Sequence, residues 1–65
     1  MNKNNLEDIR TDKLMTQVEL AKLSGISKTS ISLIENGYQE PTTITRKKLC
    51  NALEATMEAV FPKGE

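Results

Sequence analysis

The chain has 65 residues, in which nine Lys and Arg balance nine Asp and Glu, with no histidine and one cysteine. This length predicts a single domain over residues 1–65 with a modest core. The zero net charge gives no support to nucleic-acid binding, because many DNA-binding domains are basic. A lone cysteine excludes an intramolecular disulfide, which fits a reducing, cytoplasmic setting. We expect no metal, no cofactor and no membrane span, since zinc ligands and long apolar runs are lacking.

A first helix is predicted over residues 6–13, behind a polar lead-in that we expect to be a terminal tail. The alternative for that lead-in is a short arm that reaches a phosphate through Lys3. Asn5 is a suitable cap for the helix. Its predicted buried stripe consists of Leu6, Ile9 and Leu14. Arg10 lies on the same side as this stripe, which is unusual for a surface charge.

A second helix is predicted over residues 17–24, because Thr16 and Glu19 have the spacing of a capping box. Gly25 follows, and glycine accepts the left-handed conformation of a helix C-cap. The side chains predicted to face inward are Leu20, Ala21 and Leu23.

A third helix is predicted over residues 28–36, with Ser27 as its cap. Ile31 and Ile34 are three residues apart and therefore share one buried face. Gly37 ends this helix as Gly25 ends the second one.

A fourth helix is predicted over residues 44–53, opened by Pro41 and the two threonines after it. Its apolar side is Leu49, Ala52 and Leu53, and its basic run Arg46, Lys47 and Lys48 is expected to point outward. Thr56 caps a final short turn over residues 57–61, which Pro62 ends.

The small residue Ala21, then Gly25, then the branched Ile31 give the spacing that a helix-turn-helix requires. The motif over residues 17–36 and its flank carry Gln17, Leu20, Ala21, Gly25, Ser27, Ile31, Glu35 and Gly37. This pattern resembles the DNA-binding helix-turn-helix of the phage-repressor and Cro type, over residues 6–61. The resemblance implies a compact all-α, five-helix fold and sequence-specific binding of double-stranded DNA.

The third helix would enter the major groove, where the start of a recognition helix meets base edges. The expected base-contact residues are Lys28, Thr29, Ser32 and Leu33. The alternative is that the first three are ordinary surface residues and that Leu33 lies at the rim of the core.

Phosphate contacts are expected where helix ends meet the DNA backbone. Free amides at the start of the second helix suit an anion near Thr16 and Gln17. The resemblance implies a backbone contact for Gln17 and another for Asn36. Ser27 and Thr43 complete the expected set, and the alternative for each residue is a purely local role in a helix end.

The resemblance also implies an ion pair between Arg10 and Glu35 that ties the first helix to the third. Its role would be orientation, because a buried ion pair contributes little net stability. Where the family often has glycine or asparagine, this chain has Glu54. Because neither of those helix-ending residues is present, the fourth helix is free to run on toward Thr56.

Geometry and the resemblance together predict a homodimer, because one helix in one groove reads few base pairs. The expected dimer surface is Met57, Val60 and Phe61, and the alternative is that these side chains seal the core. The resulting hypothesis is a small transcriptional regulator, a repressor on a palindromic operator. The alternative is an antitoxin-like or accessory module that binds a protein partner. An enzyme is not expected, since no catalytic constellation is present.

Overall fold

The computed structural model describes residues 4–62, and every regular element in that range is a helix. In chain order the elements are α1 (Leu6–Asp12), α2 (Gln17–Ser24), α3 (Lys28–Glu35), α4 (Thr43–Leu53) and α5 (Met57–Val60). The predicted all-α, five-helix fold is confirmed, and every helix boundary agrees with its prediction to within one residue. Lys3, the candidate for a phosphate-contacting arm, lies outside the described residues.

All five helices contribute to one core. α2 packs on both α3 and α4, α1 packs on α3, and α4 packs on α5. The buried apolar side chains are Leu6, Leu20, Ile31, Ile34, Leu49, Cys50, Leu53 and Val60. Burial raises the pKa of the Cys50 thiol because desolvation disfavours the thiolate. Cys50 therefore behaves as a small core residue and not as a nucleophile.

Four helices begin at side-chain caps that the sequence predicts. Thr16 Oγ1 accepts a hydrogen bond from the Glu19 amide at 3.0 Å, and Glu19 Oε1 accepts one from the Thr16 amide at 2.8 Å. The capping box is therefore complete. Ser27, Thr42 and Thr56 cap α3, α4 and α5 by accepting from the amide three residues ahead.

The start of α1 differs from its prediction, because the Asn5 side chain makes no cap hydrogen bond. Asn4 Oδ1 accepts from the Leu6 amide at 3.0 Å instead. Asn5 donates through its side chain to the Ala59 carbonyl and through its amide to the Val60 carbonyl. Tertiary contacts with α5 therefore fix this helix start, and local sequence cannot reveal them.

Two leucines that were predicted to be buried lie on the surface. Leu14 is 90% exposed, because α1 has ended and its φ of 58° turns the side chain outward. Leu23 is 63% exposed. The inward stripe of α2 runs through Leu20 and Ser24, and Leu23 falls to one side of it.

The end of α4 is sharp, so the expectation that it could run on toward Thr56 is wrong. Glu54 adopts the left-handed conformation, with φ 55° and ψ 43°. The Ala55 amide donates to the Cys50 carbonyl at 3.0 Å, a bond typical of left-handed helix ends. A non-glycine residue therefore occupies a position that glycine adopts at lower cost.

Gly25 and Glu54 both hold left-handed backbone, so opposite substitutions test the same strain. Gly25 has φ 77°, and a Cβ built there meets nothing within 4 Å. Gly25→Ala should lower the free energy of unfolding by about 1 kcal/mol, and Glu54→Gly should raise it by a similar amount. Thermal unfolding followed by circular dichroism should show shifts of about 4–8 °C in opposite directions. A Glu54→Gly variant that melts below the parent would contradict this account.

Candidate nucleic-acid interface

The third helix presents one accessible face and one buried face. Ile31, Ile34 and Glu35 are buried. Lys28 and Thr29 are exposed, Ser32 is partly exposed, and Leu33 is 38% exposed. At 3.6 residues per turn, these four exposed or partly exposed side chains lie within an arc of about 140° around the helix axis. The structure therefore brings the residues predicted for base contact onto one side of α3, and Leu33 lies outside the core.

The accessible face of α3 carries no carboxylate, although the whole chain is neutral. Lys28 is the only ionisable side chain between Ser24 and Ile34. The next acid, Glu35, is 2% exposed and hydrogen-bonded to an arginine. This face therefore offers an ammonium and two hydroxyls to an anionic partner. A helix about 10–12 Å across also matches a DNA major groove, which is about 12 Å wide.

The beginning of α2 is only partly available to a phosphate. The capping box already uses the amides of Thr16 and Glu19, and it holds the Glu19 carboxylate against this helix end. The Gln17 side chain turns toward the protein, where its Nε2 donates to Glu35 Oε1 at 2.9 Å. Thr16 remains exposed. The Glu19 carboxylate has the same sign of charge as a phosphate and therefore weakens this helix end as an anion site, which leaves the Thr16 hydroxyl as the group able to face a phosphate.

The other residues predicted for phosphate contact are all exposed: Ser27, Asn36 and Thr43. Ser27 Oγ accepts from the Ser30 amide at 3.1 Å, which leaves its hydroxyl hydrogen able to donate. The Asn36 side chain donates to the Ser32 carbonyl at 2.9 Å. Each of these side chains lies at a helix end and keeps at least one group that can face solvent.

A buried ion pair joins α1 to α3. Arg10 Nε donates to Glu35 Oε2 at 2.6 Å, and Arg10 Nη2 donates to Glu35 Oε1 at 3.3 Å. Arg10 Nη1 donates to the Met15 carbonyl, just ahead of α2, at 2.7 Å. Arg10 is 8% exposed, and its buried partner Glu35 explains why a charged residue lies on the apolar side of α1. The end of α3 is thus held by groups from outside that helix.

The side chains predicted to form a dimer surface pack within one chain. Val60 has no exposed surface and is part of the core, so its assignment to a dimer surface is wrong. Met57 and Phe61 are partly buried against the same core. The Phe61 ring also lies 5.5 Å from the Arg46 guanidinium. Arg46 is therefore only partly exposed, whereas Lys47 and Lys48 point outward as predicted.

An open groove of about 440 Å³ lies beside the α1–α2 connection, and its lining includes the exposed Leu14 and Leu23. The remaining lining residues are Lys13, Met15, Glu19 and Lys22. Sequence reasoning missed this groove because both leucines fitted the apolar stripes of their helices.

Residues 4–62 contain no group of three or more His, Cys, Asp or Glu side chains that could hold a metal ion. Within the same range, no helix has the length and apolar character needed to cross a membrane.

Two helices joined across a glycine turn, the second with an accessible face free of acids, define a helix-turn-helix DNA-binding fold. The chain belongs to the helix-turn-helix family of the phage-repressor and Cro type: the family model described as "Helix-turn-helix" matches residues 6–60. The predicted family is confirmed. This is a family of DNA-binding regulators and not of enzymes.

Two relatives agree with the family assignment. The chain is 37% identical to "Uncharacterized HTH-type transcriptional regulator y4dJ" of Sinorhizobium fredii (strain NBRC 101917 / NGR234), over 62 residues that cover 94% of this chain and 80% of that protein. It is 35% identical to "ImmF control region 10 kDa protein" of Bacillus phage phi105, over 66 residues that cover 91% of this chain and 73% of that protein.

Removal of one partner of the Arg10–Glu35 ion pair should destabilise the protein far more than replacement of both partners by apolar residues. Arg10→Met leaves the Glu35 carboxylate buried without its cation, so it should lower the free energy of unfolding by about 3–5 kcal/mol. The double substitution Arg10→Met with Glu35→Leu removes both charges and should cost much less. Urea unfolding of the single and double variants measures the difference. Equal losses in the two variants would contradict the prediction.

Proposed function

We propose that this protein represses transcription by binding a palindromic operator in double-stranded DNA as a homodimer. The observation that carries the proposal is the single accessible face of α3, which combines Lys28, Thr29, Ser32 and Leu33. Residues 1–65 would then form one DNA-binding domain, with its helix-turn-helix motif at residues 17–36. Such a protein would work in the cytoplasm, beside the DNA.

Each side chain on this face suits a different feature of a base edge. The Lys28 ammonium can donate to guanine O6 and N7, and the Thr29 and Ser32 hydroxyls can donate or accept. Leu33 can contact a thymine methyl group. A good base contact discriminates by about 1–3 kcal/mol, so three or four contacts per subunit are enough for a specific half-site.

Contacts to the DNA backbone would hold α3 in register. We propose that Thr16, Ser27, Asn36 and Thr43 donate to phosphates around the groove. These contacts orient the protein and carry no sequence information directly. Few cations are available for them, so binding should depend less steeply on salt than it does for basic DNA-binding domains.

A homodimer follows from the geometry of the duplex. One α3 covers few base pairs, whereas two copies related by a two-fold axis read half-sites about 34–36 Å apart. The partly exposed Met57 and Phe61 remain candidates for the contact between subunits. Occupation of an operator is enough to block transcription from an overlapping promoter. The name of the phage relative, a control region protein, agrees with a regulatory role.

A second candidate function is the binding of a protein partner, as in an antitoxin-like or accessory module. The groove beside Leu14 and Leu23 favours this candidate, because these leucines are 90% and 63% exposed and leave apolar surface open to a partner. The zero net charge is also compatible with it.

Selection of bound duplexes from a random pool tests the proposal directly. We expect the selected DNA to contain two inverted half-sites whose centres are about 10–10.5 base pairs apart. Recovery of no enriched sequence, together with no retardation of genomic fragments at low salt, would contradict DNA binding and favour the protein-partner candidate.

The selected duplex then tests the face itself. The triple variant Lys28→Ala, Thr29→Ala, Ser32→Ala should lose specific binding and keep its helical circular dichroism, because all three side chains lie outside the core. Lys22→Ala is the matched control, since it removes one exposed lysine that lies on α2, away from the accessible face of α3. Unchanged affinity of the triple variant would remove α3 from the interface.

A further inference from the structure

We propose that Gln17 is a positioning residue for the recognition helix: it sets the angle between α2 and α3 through Glu35, and so controls sequence discrimination as well as affinity. This inference rests on the proposed function, in which α3 reads base edges. Its basis is the contact at 2.9 Å from Gln17 Nε2 to Glu35 Oε1.

The two helices are tied at both ends. α2 and α3 have eight residues each, so each is about 12 Å long. Gly25, with its left-handed backbone, joins them at one end, and buried Leu20 and Ile31 lie in the core. Gln17 is the first residue of α2 and Glu35 is the last residue of α3, so their hydrogen bond closes the end that lies away from the turn.

The Glu35 carboxylate is a firm anchor for this bond. It is 2% exposed, and Arg10 donates to both of its oxygens. The bond from Arg10 Nη2 to Oε1 is long, at 3.3 Å, whereas Gln17 approaches the same oxygen at 2.9 Å. Without Gln17, Oε1 would keep only the longer contact, and α2 would lose this side-chain connection to the end of α3.

A loosened tie should affect base contacts more than phosphate contacts. Hydrogen bonds to base edges require donor–acceptor distances near 2.7–3.2 Å and near-linear angles. The proposed phosphate contacts of Thr16 and Thr43 lie at the beginnings of α2 and α4, so they do not move with α3. A tilt of α3 therefore reduces discrimination between sequences, while non-specific affinity changes little.

The resemblance implies a phosphate contact for Gln17, and the two roles predict different results. A residue that only contacts phosphate contributes equally on every sequence, and because the glutamine amide is uncharged, its loss leaves the salt dependence of binding unchanged. A positioning residue contributes more on the preferred sequence. The ratio of the two affinities therefore separates the roles.

The experiment uses Gln17→Met in the full chain, because methionine keeps the length and helix propensity of glutamine and removes the donor. The matched control is Thr43→Val, an exposed residue proposed to contact phosphate and absent from the Glu35 cluster. Affinities are measured for the duplex selected from the random pool and for a scrambled duplex of the same composition, at several salt concentrations.

Gln17→Met should lower the ratio of selected to scrambled affinity by about tenfold, the equivalent of about one base contact. Thr43→Val should weaken both affinities by the same factor and leave the ratio unchanged. Uniform weakening of both affinities by Gln17→Met, with their ratio unchanged, would overturn the proposal and assign the residue to phosphate contact alone.

A measurement without DNA keeps this inference separate from the proposed function. Residual dipolar couplings of the α2 and α3 amides report the angle between the helices in free protein. Gln17→Met should change this angle, and Thr43→Val should not. An unchanged angle in Gln17→Met would overturn the positioning role, whether or not the wild-type protein binds DNA. Absence of DNA binding by the wild-type protein would instead contradict the proposed function and leave the measured angle as evidence on Gln17.

Discussion

The carboxylate of Glu35 receives hydrogen bonds from two other helices, and we propose that the orientation of α3 depends on it. Arg10 of α1 and Gln17 of α2 both donate to it, and Arg10 also holds the Met15 carbonyl ahead of α2. A buried carboxylate with two donor groups fixes a direction, which an apolar contact does not do. Its net contribution to stability is small, because desolvation offsets most of the attraction. We therefore propose that the cluster sets the orientation of α3, whereas the apolar core supplies the stability.

The same arrangement explains how a neutral chain can present a surface suited to DNA. α3 and the turn before it carry one cation and no exposed acid, while the other charges lie elsewhere on the chain. The one acid of α3 is buried and bound to Arg10. Net charge is thus a poor guide to whether this chain suits DNA, because the distribution of charge over the surface decides which face can approach a phosphate backbone.

Much of the fold could be predicted from the sequence because its helix ends are encoded locally. Thr16 with Glu19, Ser27, Thr42 and Thr56 cap their helices in the predicted way. Predictions failed where tertiary contacts or backbone strain decide the outcome. Asn5 bonds to α5 instead of capping α1, and Leu14 turns outward on left-handed backbone. Apolar periodicity cannot reveal either effect, because it describes a continuous helix.

Some parts of the candidate site could be predicted from the sequence and others could not. The exposure of Ser32 and Leu33 follows from the spacing of Ile31 and Ile34, since the two residues between them must point elsewhere. The contact between Arg10 and Glu35 was implied by the resemblance alone. The hydrogen bond from Gln17 to Glu35 was not anticipated, because it depends on the angle between two helices, which no local pattern specifies. The burial of Val60 likewise depends on how α5 folds back onto the core.

The most direct test of the central claim is a titration of ¹⁵N-labelled protein with the selected duplex, followed by amide chemical shifts. The claim is that the exposed face of α3 enters the major groove and that the beginning of α2 adjoins the DNA backbone. The account predicts the largest changes over residues 27–33 and at Thr16 and Gln17, with little change at Leu14 and Leu23. Changes centred on those two leucines, with the amides of α3 unaffected, would contradict it.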